Sequence, residues 1–227
     1  MEGAVAIVLA AGSGERLGLD RPKAFVPVGG RPMLAHAVAA ALACPAVSAV
    51  VVAAPPGSED LAHAILEPLG SHAVVAGGVS RRASVRAALE AVPADVAVVV
   101  CHDAARPFAS PGLFGRVLEA LEGADGAVPV MPVPDTVKRV VDGVVVGTEP
   151  REGLALAQTP QAFVAFALRE AHELAERDGA EVTDDAAALE RAGFRVLAIP
   201  GEPGNFKVTT PEDLARADAI ALELARG

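Results

Sequence analysis

Short runs rich in Val and Ala alternate along the chain with segments whose apolar residues recur at helical spacing. Residues 4–10, 47–54, 72–76, 95–101 and 127–133 are nearly continuous apolar runs. That is the pattern of strands buried on both faces. Helical patterns lie between them: from about residue 32 to 43, from Ser58 onward, over 80–91, and from Ser110 with Pro111 at the first helical position. Ser58 and Ser110 are predicted N-caps, and Phe114, Val117, Leu118 and Leu121 make one apolar face. Further on, 163–177 and 184–192 are predicted helices and 194–200 a strand. A last helix opens with Thr210-Pro211-Glu212-Asp213, a cap followed three residues later by an acid. Its predicted buried stripe is Leu214, Ala217, Ala221 and Leu224.

Strand and helix in alternation imply βαβ units. The expected fold is α/β: a three-layer αβα, Rossmann-like domain with a mostly parallel sheet. One stretch breaks the alternation. Val137 and Val140-Val141 lead to a turn at Asp142-Gly143 and then to Val144–Val146, a hairpin signal. Inserted in an α/β domain, it is a candidate arm for pairing with another subunit, and a solvent-exposed hairpin fits the pattern equally well.

Composition narrows the partners. The chain has 227 residues, 29 acids against 19 bases and a net charge of −10. Duplex nucleic acid asks for a basic face, and the absence of Trp and Tyr disfavours stacking platforms for single strands. Nucleic-acid binding is therefore not expected. No uncharged apolar run approaches a membrane span. Cys44 and Cys101 make no disulfide framework and lack zinc spacing, so a reduced cytoplasm is the expected home. Only three of the 19 bases are lysines: Lys23, Lys138 and Lys207.

The chemistry gathers after predicted strands. Leu9-Ala10-Ala11-Gly12-Ser13-Gly14-Glu15-Arg16-Leu17-Gly18 follows the first strand and continues to Arg21-Pro22-Lys23. Ligands in open parallel sheets bind at strand carboxyl ends, and a glycine-rich turn there wraps an anion in backbone N–H groups. A dinucleotide fingerprint fails because Leu17 holds the third glycine position, and no P-loop lysine follows. With Arg16 and Lys23 attached, the turn suits a polyphosphate. A second segment, Cys101-His102-Asp103-Ala104-Ala105-Arg106-Pro107, follows the run at 98–100. An acid at a central strand end is placed to hold a divalent cation near phosphates. A turn or cap is the plain alternative for Asp103, and His102 taken alone is a structural hydrogen-bonder.

Together these segments resemble the 2-C-methyl-D-erythritol 4-phosphate cytidylyltransferase family of the non-mevalonate isoprenoid pathway. The resemblance spans nearly the whole chain. It also rests on Gly77-Gly78 with Ser84-Val85, Asp135-Thr136-Val137-Lys138, Arg151, Gln158-Thr159-Pro160-Gln161, Thr183-Asp184-Asp185-Ala186 and Lys207-Val208-Thr209. It implies one nucleotidyltransferase domain over 1–227, with 135–150 as a protruding β-arm of a homodimer. It implies CTP and a small alcohol phosphate as substrates, with Mg²⁺. Arg16 and Lys23 are the implied catalytic residues. Arg151, Lys207, Thr136, Arg106, Thr159 and Thr183 are implied for the alcohol phosphate, with Arg151, Thr136 and Arg106 candidates to act across subunits. Ala10, Ala11, Gly12, Gly14, Gly77, Gly78, Ser84 and Asp103 are implied for the nucleotide, with Asp103 also the metal anchor.

Two positions depart from the family pattern. Val79 stands where an acid is common, which leaves only its backbone to read the base, and Phe25 stands where tyrosine is frequent. Ribitol 5-phosphate is the rival acceptor for the same chemistry. An NAD-dependent oxidoreductase is disfavoured by Leu17, and a non-catalytic nucleotide-binding regulator by the full set of phosphate-facing bases.

Overall fold

The structure, a computed structural model, describes residues 3–12, 14, 17–18, 21–70, 72–180 and 182–224. In chain order the elements are β1 (Ala4–Leu9), β2 (Pro27–Val28), β3 (Arg31–Pro32), α1 (Met33–Leu42), β4 (Val47–Ala54), α2 (Glu59–Leu66), β5 (His72–Ala76) and α3 (Arg81–Ala91). Next come β6 (Val98–Asp103), α4 (Pro111–Glu119), β7 (Gly126–Pro132), β8 (Val137–Val141), β9 (Val144–Glu149) and β10 (Ala155–Ala157). The chain closes with β11 (Gln161–Val164), α5 (Ala165–Arg177), α6 (Asp185–Arg191), β12 (Val196–Pro200) and α7 (Pro211–Leu224).

Side-chain alternation along the strands builds the layers. In β1, Ala4, Ala6 and Val8 face a core shared with Leu34 and Val38 of α1, Leu66 of α2 and Phe114 of α4. Val5 and Ile7 face the opposite core, with Val85 of α3, Leu168 of α5 and Leu189 of α6. A strand that is apolar on both faces is thus covered by helices on both sides, the expected α/β arrangement. A third cluster, around Val26, Val28, Met33 and Val208, seats Ala217 of α7.

β7, β11, β6, β1, β4 and β5 lie side by side in that order. β6, β1, β4 and β5 are mutually parallel, and β12 is parallel to β7. β11 and β10 run antiparallel to their neighbours. Val130 of β7 meets both Ala157 and Pro200, which puts β10 and β12 on its opposite edges.

Three local expectations change. Residues 163–164 belong to strand β11, not to a helix: Phe163 pairs with Val99 and with Gly126, filling the gap between β6 and β7. Burial in that slot overrides local propensity. Ser58 sits at the N-cap of α2 but makes no side-chain capping bond. Leu224 is 71% exposed, leaving Leu214, Ala217 and Ala221 to pack α7. Other signals stand as read. Ser110 caps α4, and Ser80, not singled out as a cap in the sequence, caps α3. Thr210 accepts from the Asp213 N–H at 3.2 Å while Asp213 accepts from the Thr210 N–H at 3.0 Å, a reciprocal capping box.

The hairpin forms as β8 and β9, a two-stranded sheet of its own. Asp142 and Gly143 have φ of 49° and 79°, the left-handed pair that a tight hairpin turn demands. Among the described residues, no helix is long and apolar enough to cross a membrane.

Candidate active site

β1 and β6 are neighbours in register, with Leu9 opposite Asp103. Both strands therefore end at one level, and the segments leaving them open a cleft of about 710 Å³. The loop after β1, the start of α3, the turn after β6 and Lys207 with Thr209 line it.

On one side, Gly14 has φ +77°, and a Cβ there would come within 2.8 Å of the Lys23 Cβ. Glycine thus lets the loop press against the turn that carries Lys23 into the cleft lining. Phe25, at the end of that single helical turn, is buried in the core. Arg16, the other cation expected in this loop, lies outside the described residues.

On the other side, the chain leaves β5 through Gly77, whose N–H donates to the Ala54 carbonyl at 2.7 Å. A Cβ on Gly77 would sit 2.5 Å from that of Ala11, so the two loops close only with glycine here. The Ser84 hydroxyl accepts from the Gly78 N–H at 3.1 Å and donates to the Ser80 carbonyl at 2.9 Å. It ties the turn to α3. Val79 is fully exposed at the cleft lining.

Asp103 forms the floor. Its Oδ2 accepts from Lys207 Nζ at 2.7 Å, and its Oδ1 lies 3.7 Å from Arg81 Nε. Burial pushes this carboxyl up, but Lys207 and Arg81 outweigh that and hold it at about 2. It is an anion at neutral pH. Arg81 in turn pairs with Asp185 through Nη1 at 2.8 Å. Its guanidinium is held charged: Asp185 and Asp103 more than offset its burial.

The preceding residue turns to the opposite layer. His102 is fully buried, with its ring 5.2 Å from that of Phe114. Its Nε2 faces the Arg106 carbonyl at 3.2 Å, which makes that nitrogen the donor and Nδ1 the acceptor for the Thr159 hydroxyl at 3.0 Å. Thr159 Oγ1 accepts from the Asp103 N–H at 2.9 Å. Burial holds the imidazole down at about 4, so it is neutral at pH 7. His102 is structural here, as its residue type alone suggested.

The cleft thus gathers Lys23, Lys207, Asp103, Ala10, Ala11, Gly12, Gly14, Gly78 and Ser84 of the expected set, with Gly77 behind the wall. Thr159 is buried, its hydroxyl engaged beneath Asp103. Arg106 donates to the Asn205 and Ala157 carbonyls at 2.8 and 3.2 Å, bracing the segment that carries Lys207. Thr183 is exposed beside Asp184, the N-cap of α6. Thr136 and Arg151 lie at the foot of the arm, outside the cleft lining, and Arg151 donates to the Pro134 carbonyl at 2.7 Å. Arg81 went unnoticed in the sequence. One signal was available: a cation in the first turn of a helix opposes the helix dipole and asks for a reason.

Among the described residues, no group of three His, Cys, Asp or Glu could cage a metal. A lone ionised carboxylate at the floor still suits Mg²⁺, which keeps its waters and takes most other ligands from substrate phosphates.

Comparison with known proteins agrees with this geometry. Residues 4–223 match the family model described as 2-C-methyl-D-erythritol 4-phosphate cytidylyltransferase. A protein of that name from Rhodococcus jostii is 49% identical, covering 96% of this chain and 95% of its own. One from Frankia casuarinae is 48% identical, covering 95% of this chain and 80% of its own. The crystal structure of the Thermus thermophilus enzyme superposes with a TM-score of 0.81 at 41% identity, covering 98% of this chain and all of that one. The chain belongs to the 2-C-methyl-D-erythritol 4-phosphate cytidylyltransferase family.

Proposed function

We propose that this chain transfers the cytidylyl group of CTP to 2-C-methyl-D-erythritol 4-phosphate in the cleft above Asp103, releasing pyrophosphate. The observation that carries the assignment to this cleft is the convergence of Lys23 and Lys207 on a pocket floored by an ionised carboxylate. The acceptor is a phosphate monoester, already anionic, so no general base is needed. An acceptor phosphate oxygen attacks the α-phosphorus of CTP, and the bond to the β-phosphate oxygen breaks. What must be managed is the approach of two polyanions and the charge on the leaving pyrophosphate. That is work for fixed cations and positioning.

Lys23 faces the nucleotide phosphates, and the family resemblance assigns Arg16 the same role. Lys207 is already bonded to Asp103 and is placed to swing from that carboxylate to the incoming phosphate. Asp103 would hold Mg²⁺, which supplies charge neutralisation across the phosphates. Ala10, Ala11 and Gly78 leave room for a base, and backbone groups near Val79 read its edge. Both cysteines are buried and free, which fits a reducing cytoplasm.

A second copy of the chain is the proposed partner of the arm. Val140, Val141, Val144, Val145 and Val146 are each more than half exposed on an isolated two-stranded ribbon. Such ribbons are marginal alone in water. Arg151 and Thr136 would then serve the partner's site. Mixing Arg151→Ala with Lys23→Ala subunits should restore activity, and no recovery in verified heterodimers would overturn the shared site.

Pyrophosphate release from CTP, assayed with each alcohol phosphate, tests the reaction. Turnover with 2-C-methyl-D-erythritol 4-phosphate is expected. Turnover with ribitol 5-phosphate alone would overturn the assignment, and the names of the relatives weigh against it.

A further inference from the structure

Arg81 occupies the first position of α3, where the dipole repels a cation. Two carboxylates hold it there: Asp185 at 2.8 Å and Asp103 at 3.7 Å. Asp185 is 1% exposed at the start of α6, and its Oδ1 lies 3.0 Å from Nε2 of His172 on α5, itself 2% exposed. A carboxylate only accepts, so this imidazole nitrogen carries a proton and donates it. Neither Asp185 nor His172 lines the cleft, so neither meets substrate.

We propose that Asp185, fixed by His172, is a positioning residue that draws the Arg81 guanidinium off Asp103 and leaves its Oδ1, the oxygen Lys207 does not hold, open to a divalent cation. The reasoning is electrostatic. A largely buried guanidinium must keep a close counter-ion. With Asp185 present, Arg81 makes its short contact there and only a long one to Asp103. Without that charge, Asp103 becomes its nearest anion. Arg81 then closes on Oδ1, the oxygen left for a cation, in competition with it. His172 matters because its N–H fixes one Asp185 oxygen and leaves the other for Arg81. The inference rests on the proposed role of Asp103 as cation anchor.

The test is the factor by which MgCl₂ tightens CTP binding to the full-length protein, measured by calorimetry, with melting followed in parallel. Asp103→Asn should bring that factor close to one. Asp185→Asn should lower it about 10-fold, the usual cost of losing a partner behind a metal ligand, with Mg²⁺-free CTP affinity kept within about twofold. His172→Leu should lower it in the same direction, and His172→Gln, which keeps an N–H near the Nε2 position, should restore it. A merely structural role would weaken CTP binding equally with and without Mg²⁺, leaving the factor unchanged. An unchanged factor in Asp103→Asn overturns the anchor role and the inference together. A factor lost in Asp103→Asn but unchanged in Asp185→Asn overturns the inference alone. Should Asp185→Asn not fold, the histidine pair decides: a lower factor for Leu than for Gln supports the inference, and equal factors overturn it.

Discussion

Two polar chains start from adjacent residues of β6 and run to opposite faces of the sheet. From Asp103 a charged chain passes through Lys207 on the cleft side and through Arg81 to Asp185 behind it. From His102 a neutral chain passes through Thr159 back to the Asp103 N–H, with Nε2 on the Arg106 carbonyl. Strand alternation alone separates them. The charged chain reaches the cleft, where phosphates and cations can exchange with its members. The neutral chain is sealed, because an uncompensated charge there would cost far more than a hydrogen bond returns. In the proposed function the ionised groups are the ones that would meet substrate charge, while the neutral ones hold their backbone still.

The largest break should come at the charged end. Lys207→Ala should lower kcat/KM on the order of 10²- to 10³-fold, the scale for losing one preorganised group at developing charge. Its bond to Asp103 is part-buried, but Arg81 stays beside that carboxylate, so the melting temperature should fall only modestly. Steady-state kinetics with a melting curve on one preparation would check both halves. A large stability loss with intact kcat/KM would erase the contrast between the chains.

Acid should break the two chains in different windows. His102 in the folded protein sits at about 4, below its ordinary 6.5. The unfolded chain therefore binds this proton first, and stability falls as pH drops from 6.5 towards 4. The full window is worth on the order of 3 kcal/mol. Asp103 sits at about 2 against 3.8, so its contribution is present above 3.8 and is lost only as pH falls through 2. Urea titrations in EDTA across pH should show the first loss in the native protein and a clearly smaller one in His102→Leu, where His36, also held down by burial, still contributes.

Thr159→Val strands the Asp103 N–H and His102 Nδ1 together. A loss of about 1–3 kcal/mol in urea is expected, with a smaller fall in kcat/KM than Lys207→Ala causes. Thr210→Ala touches neither chain. Losing its capping bond should cost about 1 kcal/mol with kinetics unaltered, which sets the baseline for a purely structural change.

Much of this was readable before folding. The layered α/β fold followed from Val-rich runs alternating with 3.6-period segments, because each signal is local. Lys23, Asp103 and Lys207 announced themselves through motif context, and the hairpin through Asp142-Gly143. Strand β11 was not readable: four residues of mixed character gained strand structure only from the slot between β6 and β7. Arg81 and Asp185 were missed as a pair because they are far apart in the chain, and each alone passes for a helix-end residue. Thr159 belonged to a matched motif, yet its hydroxyl is engaged beneath Asp103 rather than lining the cleft.

The sequence by itself determined the periodicities, the turns and caps, and the family. Those depend on residues close together in the chain, or on motifs in a fixed order. Only the tertiary structure decided which charges meet. Whether Asp103 faces Arg81 or Phe114 depends on strand register and on which helix covers which face, and a one-residue slip would exchange His102 for Asp103. Charge pairing in a buried site is a three-dimensional quantity that falls steeply with distance, so no one-dimensional spacing could supply it.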